Sequence, residues 1–77
     1  MRKVVVERVA GEWVATVTGG TIVARGAERA DVVEGAHDYG RTHGGEADVD
    51  GVSIEVREED GSYEVLTTYP RVAAERH

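Results

Sequence analysis

Gly11-Glu12-Trp13-Val14-Ala15-Thr16-Val17-Thr18-Gly19-Gly20-Thr21-Ile22-Val23-Ala24-Arg25 decides the fold. The stretch holds the only tryptophan, alternates bulky with small or polar residues, and folds back at Gly19-Gly20. Paired glycines suit a two-residue hairpin loop, whose central positions need positive φ. Closing the ribbon there sets Thr18 opposite Thr21, Val17 opposite Ile22, Thr16 opposite Val23 and Ala15 opposite Ala24. One face is then Trp13, Ala15, Val17, Ile22 and Ala24, which is wholly apolar. A slip of one residue would turn one strand's apolar set to water, so the pattern predicts its own register.

Working outward toward the N-terminus, Val4–Val9 reads as a β-branched first strand, and Ala10-Gly11 as its turn. That turn places Val4 opposite Val17, Val6 opposite Ala15, Arg8 opposite Trp13 and Val9 opposite Glu12. Val4 and Val6 therefore join the face of Trp13, Ala15 and Val17, and two independent turns agree on one core side. The other side carries Val5, Thr16 and Val23 in one row and Glu7, Val14 and Arg25 in the next. Half apolar, it is the candidate interaction face: Val5, Val14, Thr16, Val23 and Arg25.

Beyond Gly26 the period changes. Ala27–Gly45 is the helical stretch, with the helix itself at about 29–43 and Val32, Val33, Ala36, Tyr39 and Gly40 on one side. Asp31 and Glu34 have capping-box spacing, with Ala27–Ala30 as the approach. Gly35 and Gly40 each weaken a helix by ~1 kcal/mol relative to alanine. On the inner side they would let it lie close to a sheet. Gly44-Gly45 predicts a left-handed cap. After an acidic linker, Glu46–Gly51, come a fourth strand at Val52–Val56, a turn at Asp60-Gly61 and a fifth strand at Ser62–Tyr69. A two-residue turn pairs Arg57 with Glu64, Val56 with Val65, Ile54 with Thr67 and Val52 with Tyr69. The apolar side becomes Val52, Ile54, Val56, Tyr63, Val65 and Tyr69, with Leu66 alone opposite. Pro70 stops the strand.

The expectation is one α+β domain over residues 1–77, with a five-stranded, antiparallel-rich sheet and one helix packed on one face. Its parts are a meander at 3–25, the helix, a hairpin at 52–69 and a tail at 70–77. A crossover placing the fourth strand beside the first gives the order 3-2-1-4-5. The third and fifth strands are then edges without lysine, and Thr21–Arg25 could pair with a second copy.

Composition narrows the function. A chain of 77 residues buries only about 60–65% of its unfolded surface. Without cysteine it has no disulfide or thiolate site, so fourteen valines carry much of the core. No apolar run reaches the ~18 residues of a membrane span, and the short N-terminal run is interrupted at Glu7 and Arg8, so a soluble cytoplasmic protein is expected. The net charge is −6, which argues against non-specific nucleic-acid binding, because that binding draws on clustered cations.

Individual motifs point to little chemistry. His37 and His43 are six apart on different helix faces, which suits exposed helix-end histidines rather than a metal pair. Asp48-Val49-Asp50-Gly51 opens like a calcium loop, but Arg57 stands where the closing bidentate glutamate belongs. Glu55, Glu58, Glu59 and Glu64 read as a solvated hairpin rim, since catalytic carboxylates need a cleft that separates their pKa values. Trp13 reads as core rather than as a ligand platform. No catalytic, cofactor or metal residue is assigned.

Glu12-Trp13-Val14-Ala15-Thr16-Val17, followed by Val23-Ala24-Arg25-Gly26 and a helix, resembles the N-terminal domain of HicB-type antitoxins. The resemblance spans Val4 to about Val56 and rests on an aromatic-Val-Ala strand and a glycine before the helix. It implies a truncated ribonuclease H-like fold and an antitoxin-like binding role. The chain departs from the pattern in lacking a Pro-Gly loop between the second and third strands. Glu28 also stands where a threonine cap is usual, and the 77 residues include no DNA-binding module. No ribonuclease H active site is implied, since the centre of the meander has no acidic residue. The Asp60-Gly61 hairpin with Tyr69 is also similar to the closing hairpin of small prokaryotic domains of like length. Together these readings predict a non-enzymatic protein-binding module, either a homodimer or the partner of another small protein. The alternative is a nucleic-acid or small-ligand binder using the sheet face around Arg8, Val14 and Arg25.

Overall fold

The computed structural model describes residues 2–44 and 51–70. The elements run β1 (Arg2–Val9), β2 (Glu12–Val17), β3 (Ile22–Gly26), α1 (Arg29–His43), β4 (Gly51–Arg57) and β5 (Tyr63–Pro70). The strands form one sheet in the order β3-β2-β1-β4-β5, and α1 touches every strand. All neighbours are antiparallel except β1 and β4, which run parallel at the centre. This is the predicted α+β arrangement. The acidic linker, the calcium-like loop before Gly51 and the tail after Pro70 lie outside the described residues.

Alternation in β1 does what its valines require. Val4 and Val6 are fully buried and join Trp13, Ala15, Val17, Val32, Ala36, Val52, Ile54 and Val56 in one core between sheet and helix. The β1–β2 register is the expected one, from Val4 opposite Val17 to Val9 opposite Glu12. The turn between them has φ 53° at Ala10 and φ 87° at Gly11, the two positive values of a primed hairpin turn. Ala10 is the only non-glycine in that region among the described residues. An L side chain there costs roughly 1–2 kcal/mol, which asparagine partly relieves by local hydrogen bonding. Ala10→Asn is expected to stabilise the protein by ~0.5–1 kcal/mol, read as a higher urea midpoint at unchanged slope.

The other two hairpins depart from expectation in the same way. Val17 N–H donates to the Thr21 carbonyl at 2.8 Å and Gly20 N–H to the Val17 carbonyl at 2.9 Å, so the loop is Thr18–Gly20, three residues rather than two. Glu58 N–H likewise donates to the Ser62 carbonyl at 2.7 Å and Gly61 N–H to the Glu58 carbonyl at 3.0 Å, giving the loop Glu59–Gly61. Asp60 Oδ1 accepts from the Ser62 amide and hydroxyl, which holds this second loop. An extra loop residue moves the returning strand by one. In each hairpin a β-bulge then restores the pairing. Thr16 faces Ile22 while Ala15 faces Ala24, so Val23 is the extra residue. Glu55 faces Val65 while Ile54 faces Thr67, so Leu66 is the extra residue.

Between loop and bulge every side chain changes face. Ile22, expected inside, is 49% exposed on the open side, and Val23, expected outside, packs against the core. Tyr63 and Val65, also expected inside, are 62% and 53% exposed, while Leu66 turns inward against the core.

The helix follows the predicted limits with different ends. Its N-cap is Glu28, without a side-chain cap bond, so Asp31 is not the cap but an acid inside the first turn, near the positive end of the helix dipole. Gly44 is right-handed, at φ −60° and ψ −26°, instead of left-handed. Glycine is needed there for closeness. A Cβ on Gly44 would lie 2.9 Å from the Gly40 carbonyl oxygen and 3.2 Å from Tyr69 Cβ. Gly35 similarly meets Ala24, as an inner glycine face requires.

Candidate functional site

With α1 on one side, the other side of the sheet has no layer over it among the described residues. The register lays its side chains out in rows. One row runs Ile22, Thr16, Val5, Glu55, Val65 from edge to edge. The next runs Arg25, Val14, Glu7, Arg57, Tyr63, with Glu7 and Arg57 one residue beyond the last β1–β4 partners, Val6 and Val56. Val9 and Glu12 lie beyond it, and Lys3, Ser53 and Thr68 on the other flank. The exposed large hydrophobic residues among the described ones are Val9, Ile22, Tyr63 and Val65, and all four stand on this face.

Of the predicted face, Val5, Val14, Thr16 and Arg25 are brought together and Val23 is not, because the bulge turns it to the core. Ile22 takes its place. Val14 is only 8% exposed, and with Thr16, Val9, Glu12, Ile22 and Arg25 it lines a groove of ≈ 340 Å³. The Glu12 carboxylate accepts from Arg25 Nε at 2.9 Å and Nη2 at 3.0 Å, a two-pronged pair on the groove wall. That hydrogen bonding holds the Glu12 carboxyl below the usual range and raises Arg25.

Glu55 is the unexpected member. Only 9% exposed, it sits between Val5 and Val65 with its carboxylate 3.4 Å from Lys3 Nζ. A carboxylate this enclosed needs its partner, since an unpaired buried charge is costly. It is therefore not part of a solvated rim. Glu58 and Glu59 do lie at the rim, paired with Arg29 at 2.9 Å and Arg8 at 3.1 Å. Glu7 and Arg57 make no ion pair among the described residues.

His37 and His43 are half-buried rather than exposed. His37 Nδ1 shares a hydrogen bond of 2.9 Å with the Tyr69 hydroxyl, and His43 stacks on Tyr39 with ring centroids 4.3 Å apart. Arg2 donates to the Tyr39 hydroxyl and sits 5.9 Å above its ring. These contacts tie the second half of α1 to β1 and β5. Among the described residues no three His, Asp or Glu side chains converge as metal ligands. No helix among them is long and apolar enough to cross a membrane.

The missed residues, Ile22, Tyr63 and Val65, left a trace in the sequence. Ile22-Val23-Ala24 and Val65-Leu66 are runs where apolar residues stop alternating, which marks a bulge as readily as a buried strand. The chain matches no protein-family model, no curated protein and no solved structure.

Proposed function

We propose that this chain is a non-enzymatic, cytoplasmic protein-binding module whose working surface is the open sheet face. The observation that carries the reading is that Val9, Ile22, Tyr63 and Val65, the exposed large hydrophobic residues among the described ones, all stand on that face. They form two apolar clusters, one over β1–β3 and one on β5, with Glu7, Glu55 and Arg57 between them, and exposed apolar groups gathered on an uncovered face mark a protein contact. The antitoxin-like resemblance of the meander agrees with this and suggests a small protein as partner.

Nucleic acid fits the same face less well. Of its three cations Arg25 is held by Glu12 and Lys3 by Glu55, which leaves Arg57 alone without a carboxylate among the described residues. Arg8 lies on the other side of the sheet, opposite Trp13, and is paired with Glu59. A photocrosslinking side chain at position 65 is expected to yield protein adducts in cells. The same group at position 42, exposed on the helix, is expected to yield none. Absence of protein adducts at 65, with a gel shift that fades steeply as salt rises, would favour nucleic acid instead.

A further inference from the structure

We propose that the occupant of the open face is a second copy of this chain, packed sheet against sheet about a two-fold axis. The inference rests on the protein-binding reading and names its partner. The face carries Lys3, Arg25 and Arg57 against Glu7, Glu12 and Glu55, three cations and three anions, whereas the whole chain is −6. The acidic excess thus lies elsewhere. A surface fitted to a strongly charged partner would carry the opposite net charge, whereas a neutral, mixed surface can meet its own copy without repulsion.

The side-chain pattern of the face is also self-complementary. An axis crossing the strands between the two rows sets each row upon the other row of the partner. Glu55 then meets the partner's Arg57, and Arg57 the partner's Glu55. Val65 meets the partner's Tyr63, and Thr16 the partner's Val14. Arg57, which has no ion pair among the described residues of its own chain, gains one. Antiparallel sheets commonly pack face to face in this manner, ~10 Å apart.

Five strands ~4.8 Å apart, and side-chain rows along them, make a face roughly 20 Å on a side. With the relief of its side chains, two such faces bury on the order of 1,200 Å², the lower end of the range for stable interfaces. The edge strand β3 offers the other route to a dimer, with a different set of contacts.

Light scattering on the purified chain decides the matter. Its mass at high micromolar concentration is expected to be twice 8.3 kDa. Val65→Asp and Tyr63→Glu, at exposed positions outside the core, should each weaken the dimer by about 30-fold or more, and Thr42→Asp on the helix should not. Arg57→Glu and Glu55→Arg should each dissociate alone and re-form a dimer when mixed, because the two reversals complement across the axis. Circular dichroism identifies any variant that fails to fold, and Val65→Asp with Tyr63→Glu then carries the test. A monomeric wild type overturns the second copy as occupant and leaves the crosslinks at position 65 to judge the protein-binding reading. A dimer that survives both Val65→Asp and Tyr63→Glu overturns the face and places association at β3 or elsewhere.

Discussion

Trp13→Ala is expected to cost about 3–5 kcal/mol, a large share of the stability of so small a domain. A domain of this length has roughly 4–12 kcal/mol of stability in total. Trp13 is 7% exposed and belongs to the core with Val4, Val6, Ala15, Val17 and Val32. The other buried members of that core are valine, alanine and isoleucine, none with the volume of an indole. The strand beneath Trp13 is fixed by ladders to β1 and β3, opposite Arg8 and Gly26, which limits collapse into the cavity. Urea denaturation of Trp13→Ala beside Val9→Ala makes the comparison. Val9 is 48% exposed, and its truncation should stay within about 0.5 kcal/mol of the parent. A near-native melting curve for Trp13→Ala would remove Trp13 from the core and return it to the role of ligand platform.

How far the residues announced this arrangement differs from strand to strand. In β1 every other valine faces the helix, and Ala10-Gly11 supplies the two positive φ values its turn needs, so the first hairpin and the shared core follow from pattern alone. Strand order was one of two that a right-handed crossover allows, and the burial of β4 from Gly51 to Val56 suits the central place, paired in parallel, that it takes. Gly19-Gly20 and Asp60-Gly61 were harder, because a glycine pair serves a two-residue loop and a three-residue loop with a following bulge almost equally. Nothing local chooses between them. The choice is made by packing: the bulges at Val23 and Leu66 turn these side chains against the core and release Ile22, Tyr63 and Val65 to the open face. The candidate site was therefore legible where alternation is strict, at Val5, Val14 and Thr16, and hidden where a bulge resets it. Glu55 was hidden for another reason, since only the parallel pairing with β1 brings Lys3 beside it.

Gly40→Ala should destabilise the protein by about 1–3 kcal/mol, the reverse of what the same change does on an open helix surface. In an exposed helix, alanine in place of glycine gains roughly 1 kcal/mol from reduced unfolded-state entropy. At position 40 the new methyl would lie 2.4 Å from Tyr69 Cδ2 and 2.8 Å from Cε2. Real Cβ atoms do not approach that closely, so either the ring or the helix must move. The ring is poorly free to do so, because its hydroxyl is bonded to His37 Nδ1 at 2.9 Å and its backbone sits against Gly44. Moving the helix outward would open the contacts of Val32 and Ala36 with the core as well. A double-mutant cycle separates steric conflict from a general defect in the helix. In a Tyr69→Val background the ring is gone, and Gly40→Ala should become neutral or stabilising. Equal destabilisation in both backgrounds would mean that Tyr69 is not what the glycine accommodates. Loss of the close helix–sheet contact should also appear as faster amide exchange in the second half of α1, while the β1–β2 hairpin keeps its protection.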